Sequence, residues 1–323
     1  MTNHLGLEST GETYTVAEAL QLSKQLMDQA LATTPAVFRP RTEYLTKAHG
    51  KFLRAQALLV CAQDETGVKL SAAKAAAAVE LLHLATLVHD DVMDNAETRR
   101  SQPTLFKKFG ARQAVITGDY IFCLALRLAA QAASEQIKPE DDIPFLMEKI
   151  CMGELLQTIH QRDFGLAGIG YLRIISGKTA ALFEGSFHTG AMLNEQSRDK
   201  AKEYASIGWL LGMVFQLADD CIDYEATVEQ ALKPVLSDFE QGVITLPLIV
   251  AMQKQPELKQ LAANGAMTKL EVQQAVQRHG GIRFTRRVAR LYYDRAVRKL
   301  DALDAPLFQK EQIGLLLKQA GKA

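Results

Sequence analysis

Between residues 71 and 95 the chain reads "SAAKAAAAVELLHLATLVHDDVMDN", with neither glycine nor proline, and its apolar residues recur on more than one side of a helical wheel. A helix that is apolar most of the way round cannot be a surface element, so it must sit at the centre of a large bundle. The run closes on Asp90, Asp91 and Asp94. Positions i and i+4 share one helix face, which sets Asp90 and Asp94 side by side. Like charges at that spacing repel, so a cation compensates them or the cluster stands in water.

The rest of the sequence carries the same helical period. Thr15 and Glu18 form a capping box that opens "VAEALQLSKQLMDQAL". Further helical runs are "KFLRAQALLVCAQ", "ARQAVITGDYIFCLALRLAAQAA", "DDIPFLMEKICMGELLQTIHQRDF", "GYLRIISGKTAALFEGSFHTGAML" and "SRDKAKEYASIGWLLGMVFQLADDCIDYEA". Breakers such as Pro103, Gly110, Pro139, Gly168 and Pro234 fall between them, and no strand-like alternation appears. The expected fold is all-α, a large single-domain helical bundle over residues 14–323 behind a flexible tail of residues 1–13.

Lysines and arginines number 37 and so do the acids, so no global field draws the chain toward nucleic acid. Cys61, Cys123, Cys151 and Cys221 show no paired spacing, which argues against disulfides or zinc and fits a reducing compartment. No signal peptide and no membrane-spanning run is expected, which points to a soluble, cytoplasmic protein. The one basic stretch, "RFTRRVARLYYDRAVRKL", repeats Arg283, Arg287 and Arg290 at helical spacing. Because Asp294 and Asp301 interrupt it, it reads as a solvated bundle helix ahead of a peripheral membrane contact.

One element recurs. "FQLADDCIDY" places Asp219, Asp220 and Asp223 at the end of a second apolar helix, 129 residues after the first cluster. A single DDxxD is more often a solvated helix end than a site; two, each closing an apolar helix, form a pattern. Oxygen ligands without cysteine or paired histidine select hard cations, and Mg²⁺ suits them when a phosphate completes its shell. Cations follow in "HGKFLRA" (Lys51, Arg54), at Arg99 and Arg100, in "SGKTAALF" (Lys178, beside Thr179), and in "LKPVLSD" (Lys233).

In order, the motifs "GKFLR", "ELLHLATLVHDDVMDNAETRRSQPT", "GDYIF", "GKTAALF", "GMVFQLADDCIDY" and "KPVLSDFEQGVITLPL" resemble those of trans-isoprenyl diphosphate synthases of the polyprenyl synthetase family, most of all the medium- and long-chain bacterial enzymes. The resemblance implies helices around a deep central cavity, a homodimer, and Mg²⁺ as cofactor. It implies that isopentenyl diphosphate is held by Lys51, Arg54, His83 and Arg100. Asp90, Asp94 and Asp219 would bind metal, supported by Asp91, Asp220 and Asp223. Arg99, Lys178 and Lys233 would contact the allylic diphosphate, while Thr179 and Gln216 would aim oxygen dipoles at the allylic carbocation. Breaking the allylic C–O bond releases diphosphate, whose charge metal and cations stabilise. The alkene of the second substrate attacks the cation, and a proton is then lost.

Farnesyl or geranyl diphosphate is the expected allylic partner. Short-chain relatives place an aromatic ring five or four residues before the first aspartate; here Ala85 and Thr86 leave room for a product longer than farnesyl. Rival readings are a geranylgeranyl diphosphate synthase, the catalytic subunit of a two-component hexaprenyl or heptaprenyl synthase with an accessory subunit, and a non-catalytic regulatory subunit. Retention of both aspartate sets argues against the last. Glu80 and His83 also mimic half of a di-iron site, but no second Glu-x-x-His pair exists. The plain "DDCID" disfavours a terpene cyclase. Departures from the family pattern are Ser101 after Arg100, Val243 where lysine is common, and a C-terminal "KQAGKA" without arginine.

Overall fold

A computed structural model describes residues 12–46, 50–100, 102–133, 139–225 and 236–322. The helices are α1 (Val16–Ala32), α2 (Arg39–Leu45), α3 (Leu53–Ala62), α4 (Leu70–Met93), α5 (Leu105–Phe109), α6 (Ala111–Ala132), α7 (Pro139–Ile159) and α8 (Gly168–Ile175). A π-helical turn, Ser176–Ala180, leads into α9 (Ala181–Leu193). There follow α10 (Arg198–Glu225), α11 (Ser237–Gln241), α12 (Leu246–Lys254), α13 (Glu257–Ala263), α14 (Lys269–Arg278), α15 (Gly281–Ala302) and α16 (Leu307–Ala320). Among the described residues the only strands are two antiparallel pairs of two residues each: β1 (Thr13–Tyr14) with β2 (Val68–Lys69), and β3 (Thr98–Arg99) with β4 (Gln102–Pro103). The all-α expectation holds. Of the expected tail, residues 1–11 lie outside the described residues, and Thr13 is already paired with Lys69.

Contacts divide the chain into two compact units, residues 1–139 with 186–202 and residues 140–185 with 203–323. In the first, α4 packs against α1, α3 and α6. Ala72, Ala73, Ala75, Ala76, Ala77 and Ala78 are all buried, so their small side chains cover every direction of the wheel and let neighbouring helices approach. Thr15 and Glu18 form the expected capping box of α1. In the second unit, α12 is buried from Leu246 to Met252 and packs against α8, α14 and α15. Tyr171, Ile174, Met213, Leu217, Tyr224 and Val276 belong to the same core.

Three expectations need correction. The run 170–193 is not one α-helix, because the π-turn at Ser176–Ala180 interrupts it. Pro139 and Gly168 start helices α7 and α8 instead of lying between elements. Finally, α4, α6 and α10 are long and apolar enough to cross a membrane by length and composition, with mean hydropathy 1.3, 1.3 and 1.2 over 18 residues. Asp90 and Asp91 of α4, and Asp219, Asp220 and Asp223 of α10, lie near the C-terminal ends of their helices, so few charges fall in the stretches before them. The protein's own packing buries 61 % of those stretches in both α4 and α10. On α15, Arg290 pairs with Asp294 at 2.8 Å and Thr285, Ala296 and Leu300 are buried, as a solvated bundle helix requires. None of the four cysteines forms a disulfide.

Candidate active site

In the first unit the chain enters α3 through Phe52, a buried non-glycine residue at φ 53° whose ring lies 5.1 Å below the Lys24 ammonium. This left-handed step sets Lys51, exposed, just before the helix and Arg54, half-buried, in its first turn. A Cβ on Gly50 would lie 2.7 Å from Arg100 Nη2, so glycine is what lets that guanidinium approach. Arg100 itself sits at φ 50°, beyond β3. Beneath the cations lies Glu80, 7 % exposed, whose Oε1 accepts from the Ala55 backbone N–H at 3.0 Å. It caps an orphan donor of α3. Burial raises the Glu80 carboxyl, while Arg54, the Ala55 hydrogen bond and Arg100 pull it back. His83, one turn on, is pushed well below the usual histidine range by burial and then by Arg54, Arg100 and Arg99. A neutral imidazole among fixed cations can donate to an anion without adding to the charge that must be buried.

The same α4 ends on the aspartate cluster. Asp94 is the C-cap, its N–H bonded to the Asp90 carbonyl at 2.8 Å, and the last turn carries no basic residue. The helix dipole puts partial negative charge at that end, so carboxylates there oppose stability. Asp91 points inward at 5 % exposure and receives Arg99 Nε at 2.7 Å. Burial raises its carboxyl and Arg99 lowers it. Asp90 and Asp94 are half-buried. Beside them, His89 Nε2 lies 3.2 Å from the Val115 carbonyl and 3.3 Å from Asp119 Oδ1. A Cβ on Gly118 would come within 2.3 Å of that nitrogen, so the "GD" of "GDYIF" makes room for His89 and supplies its partner. Ala85 is 2 % exposed, and the Thr86 hydroxyl is spent on the His83 carbonyl at 2.8 Å.

In the second unit, α10 also ends in acids with no base in its last turn. Asp219 is exposed, Asp223 half-buried and Asp220 buried. Asp220 Oδ2 accepts from the Tyr171 hydroxyl, and its Oδ1 accepts from Gln216 Nε2 at 2.9 Å. Burial drives the Asp220 carboxyl well up, with Asp238 and Asp223 adding to the effect. Gln216 Oε1 in turn accepts from the Thr179 hydroxyl at 2.8 Å. Thr179 and Lys178 stand on the π-turn, where helices often carry functional residues. Lys178 Nζ donates to Glu154 Oε1 of α7 at 2.8 Å. Backbone meets backbone at that crossing: a Cβ on Gly153 would be 2.3 Å from Lys178 N, and one on Gly177 would be 2.7 Å from the Lys149 carbonyl. A groove of about 620 Å³ in the same unit is lined by Met152, Gly153, Leu156, Ser176, Gly177 and Trp209.

Arg54, His83 and Arg100 are thus brought into mutual electrostatic reach, Asp91 with Arg99, and Thr179 with Gln216 and Asp220. Lys233 lies outside the described residues, as does Ser101. Sequence reading missed Asp119, Glu154 and Tyr171, and met Glu80 as half of a di-iron-like pair and not as the cap of α3. Only Glu80 had a local signal, its place one turn before His83. The donor set fits a hard divalent cation. Among the described residues no three His, Cys, Asp or Glu side chains gather closely enough to hold a metal alone. Mg²⁺ characteristically takes one or two carboxylates and completes its shell with water and substrate phosphate.

Residues 35–279 match the polyprenyl synthetase family. The chain is 33 % identical over 264 residues to heptaprenyl diphosphate synthase component 2 of Geobacillus stearothermophilus, covering 80 % of this chain and 82 % of that one. It is 32 % identical over 280 residues to octaprenyl diphosphate synthase of Escherichia coli K12, covering 84 % and 86 %. Among solved structures it is similar to a polyprenyl synthase from Caulobacter crescentus CB15 complexed with calcium and isoprenyl diphosphate. The TM-score there is 0.83 at 28 % identity, over 97 % of this chain and 99 % of that one.

Proposed function

The chain belongs to the polyprenyl synthetase family, and from that membership we propose that it makes an all-trans polyprenyl diphosphate longer than farnesyl. It is a prenyltransferase of the isoprenoid synthase fold, and its reaction is head-to-tail condensation of isopentenyl diphosphate with an allylic diphosphate. The finer reading names Mg²⁺ as the metal and residues 14–323 as one catalytic domain, working as a cytoplasmic homodimer. The observation that carries it is the placement of two aspartate clusters at the C-terminal ends of helices whose last turns hold no basic residue of their own. A fold retains such repulsion where a cation and a substrate anion are bound there.

Asp90, Asp94 and Asp219 would hold the metal, which supplies charge neutralisation for the departing diphosphate. Lys51, Arg54, His83 and Arg100 would bind isopentenyl diphosphate, with Glu80 keeping the free site from excess positive charge. Arg99, Lys178 and Lys233 would bind the allylic diphosphate, and Asp91 and Glu154 hold two of these cations in place beforehand. Ala85 and Thr86 leave the elongating chain without an aromatic floor. Purified protein incubated with Mg²⁺, isopentenyl diphosphate and farnesyl diphosphate tests this, with chromatography of the dephosphorylated products. Products beyond geranylgeranyl support the reading, and arrest at geranylgeranyl assigns the shorter-chain alternative. Turnover only after adding a second subunit makes this chain the catalytic half of a two-component enzyme.

A further inference from the structure

Tyr171 is buried at 3 % exposure and lies 49 residues from Asp220, yet its hydroxyl is bonded to that carboxyl. From there a single file of hydrogen bonds runs through Gln216 to Thr179. We infer that Tyr171 is a positioning residue for the condensation, fixing through Asp220 and Gln216 the direction in which the Thr179 hydroxyl points. This rests on the proposed reading of Thr179 as a group facing the allylic cation.

The argument concerns donors and acceptors. A glutamine amide has a donating end and an accepting end of nearly equal shape, and its neighbours alone decide which way it turns. Tyr171 donates to Asp220 Oδ2 and holds the carboxyl in one plane, with Oδ1 turned as an acceptor toward Gln216. The Gln216 NH₂ must therefore face Asp220, at 2.9 Å, which turns its carbonyl oxygen to Thr179. The Thr179 hydroxyl spends its one proton on that oxygen, at 2.8 Å, and presents lone pairs in its remaining directions. Without the Tyr171 hydroxyl, the Asp220 carboxyl loses its partner on Oδ2 and is free to turn about its Cβ–Cγ bond, so the Gln216 amide loses its anchor and can turn over. Thr179 would then accept from the amide and direct its proton outward. The positive end of its dipole would face a developing carbocation, opposing the charge it otherwise stabilises. All four residues lie in one compact unit, and Asp220 and Thr179 are 1 % and 8 % exposed, so water does not readily substitute for a missing partner.

Tyr171→Phe removes one oxygen and keeps the ring in its packing. A lost hydrogen bond to a buried carboxyl costs less than a domain's usual stability, so the variant folds. It is assayed well below its melting temperature. We expect kcat to fall about tenfold, with KM for both substrates within about twofold. A merely structural tyrosine would lower the melting temperature as well, so the deciding readout is a double-mutant cycle. In a Thr179→Val background, Tyr171→Phe should change kcat by less than about twofold, because the hydroxyl it orients is gone. Gln216→Met, which cuts the chain between the same ends, should lose its effect in that background too. Additive effects of Tyr171→Phe and Thr179→Val, or wild-type kcat in Tyr171→Phe, overturn the inference while the wild type remains active. A wild type that condenses nothing with Mg²⁺ and both diphosphates overturns the proposed function itself.

Discussion

Gly153→Ala should damage this enzyme at a point where alanine ordinarily helps a helix. In an exposed helix interior the exchange stabilises by about 1 kcal/mol. Here the new Cβ would sit 2.3 Å from Lys178 N, 2.7 Å from Gly177 C and 2.9 Å from Gly177 Cα. Ordinary contact begins at 3.4 Å, and all three neighbours are backbone, which no rotamer change can move aside. The π-turn must retreat from α7 by about 1 Å. Overpacking of this kind costs about 1–3 kcal/mol, so the net change is a loss of about 0–2 kcal/mol once the gain in helix propensity is set against it. The functional cost is larger. Lys178 and Thr179 ride on the displaced turn, and a 1 Å misplacement of reacting groups costs about 10²-fold in rate. The assay is kcat at saturating substrates beside thermal melting, with Gly314→Ala as control. In α16 that Cβ meets nothing nearer than Leu300 Cδ2 at 4.0 Å, so it should raise the melting temperature and leave kcat alone. If Gly153→Ala behaved like Gly314→Ala in both readouts, the backbone contact would not be what positions the turn.

Asp90→Ala should lower kcat by orders of magnitude while leaving the apo melting temperature unchanged or raised, since a carboxylate is removed from the negative end of α4; near-normal turnover in Mg²⁺ would sink the metal assignment. Arg54→Ala should act chiefly on KM for isopentenyl diphosphate, and Lys178→Ala on kcat through ionisation of the allylic substrate. The same parameter changing for the same substrate in both would erase the division of sites. Ala85→Phe should shorten the product with little change in the first condensation, read by product chromatography, and unchanged length would refute the missing floor. His83 bears on acid stability. Its folded pKa is depressed, so below the ordinary histidine value of about 6.5 the unfolded chain takes up a proton that the native state refuses. Stability contributed by the neutral site therefore declines as pH falls below that value, by up to about 1.4 kcal/mol per pH unit for one proton. Denaturation of wild type and His83→Gln between pH 7 and 5 should show the steeper decline in wild type, and parallel curves would contradict it.

Much of this protein is decided within single helices. The 3.6-residue period places Asp90 with Asp94, and the same period carries Asp219, Asp220 and Asp223 to the end of α10. Such relations depend on spacing alone, so the sequence determines the all-α class, the two acidic helix ends and the cations that follow them. It also determines the capping box of Thr15 and Glu18, whose partners are three residues apart. What spacing cannot decide is which side chains meet when their separation along the chain is long. Glu80 reads locally as part of a metal motif, but tertiary packing sets it under the N-terminus of α3, 25 residues away, as a cap. Lys178 is a surface cation until α7 brings Glu154 to it, and the π-turn exists where Gly153 and Gly177 put two backbones in contact. Within the second "DDCID" all three aspartates look alike as letters. Only the burial of one face of α10 beside Tyr171 turns Asp220 inward to a hydrogen-bond chain, while Asp219 stays at the surface, because one helix turn exposes one residue and buries its neighbour according to what packs against it.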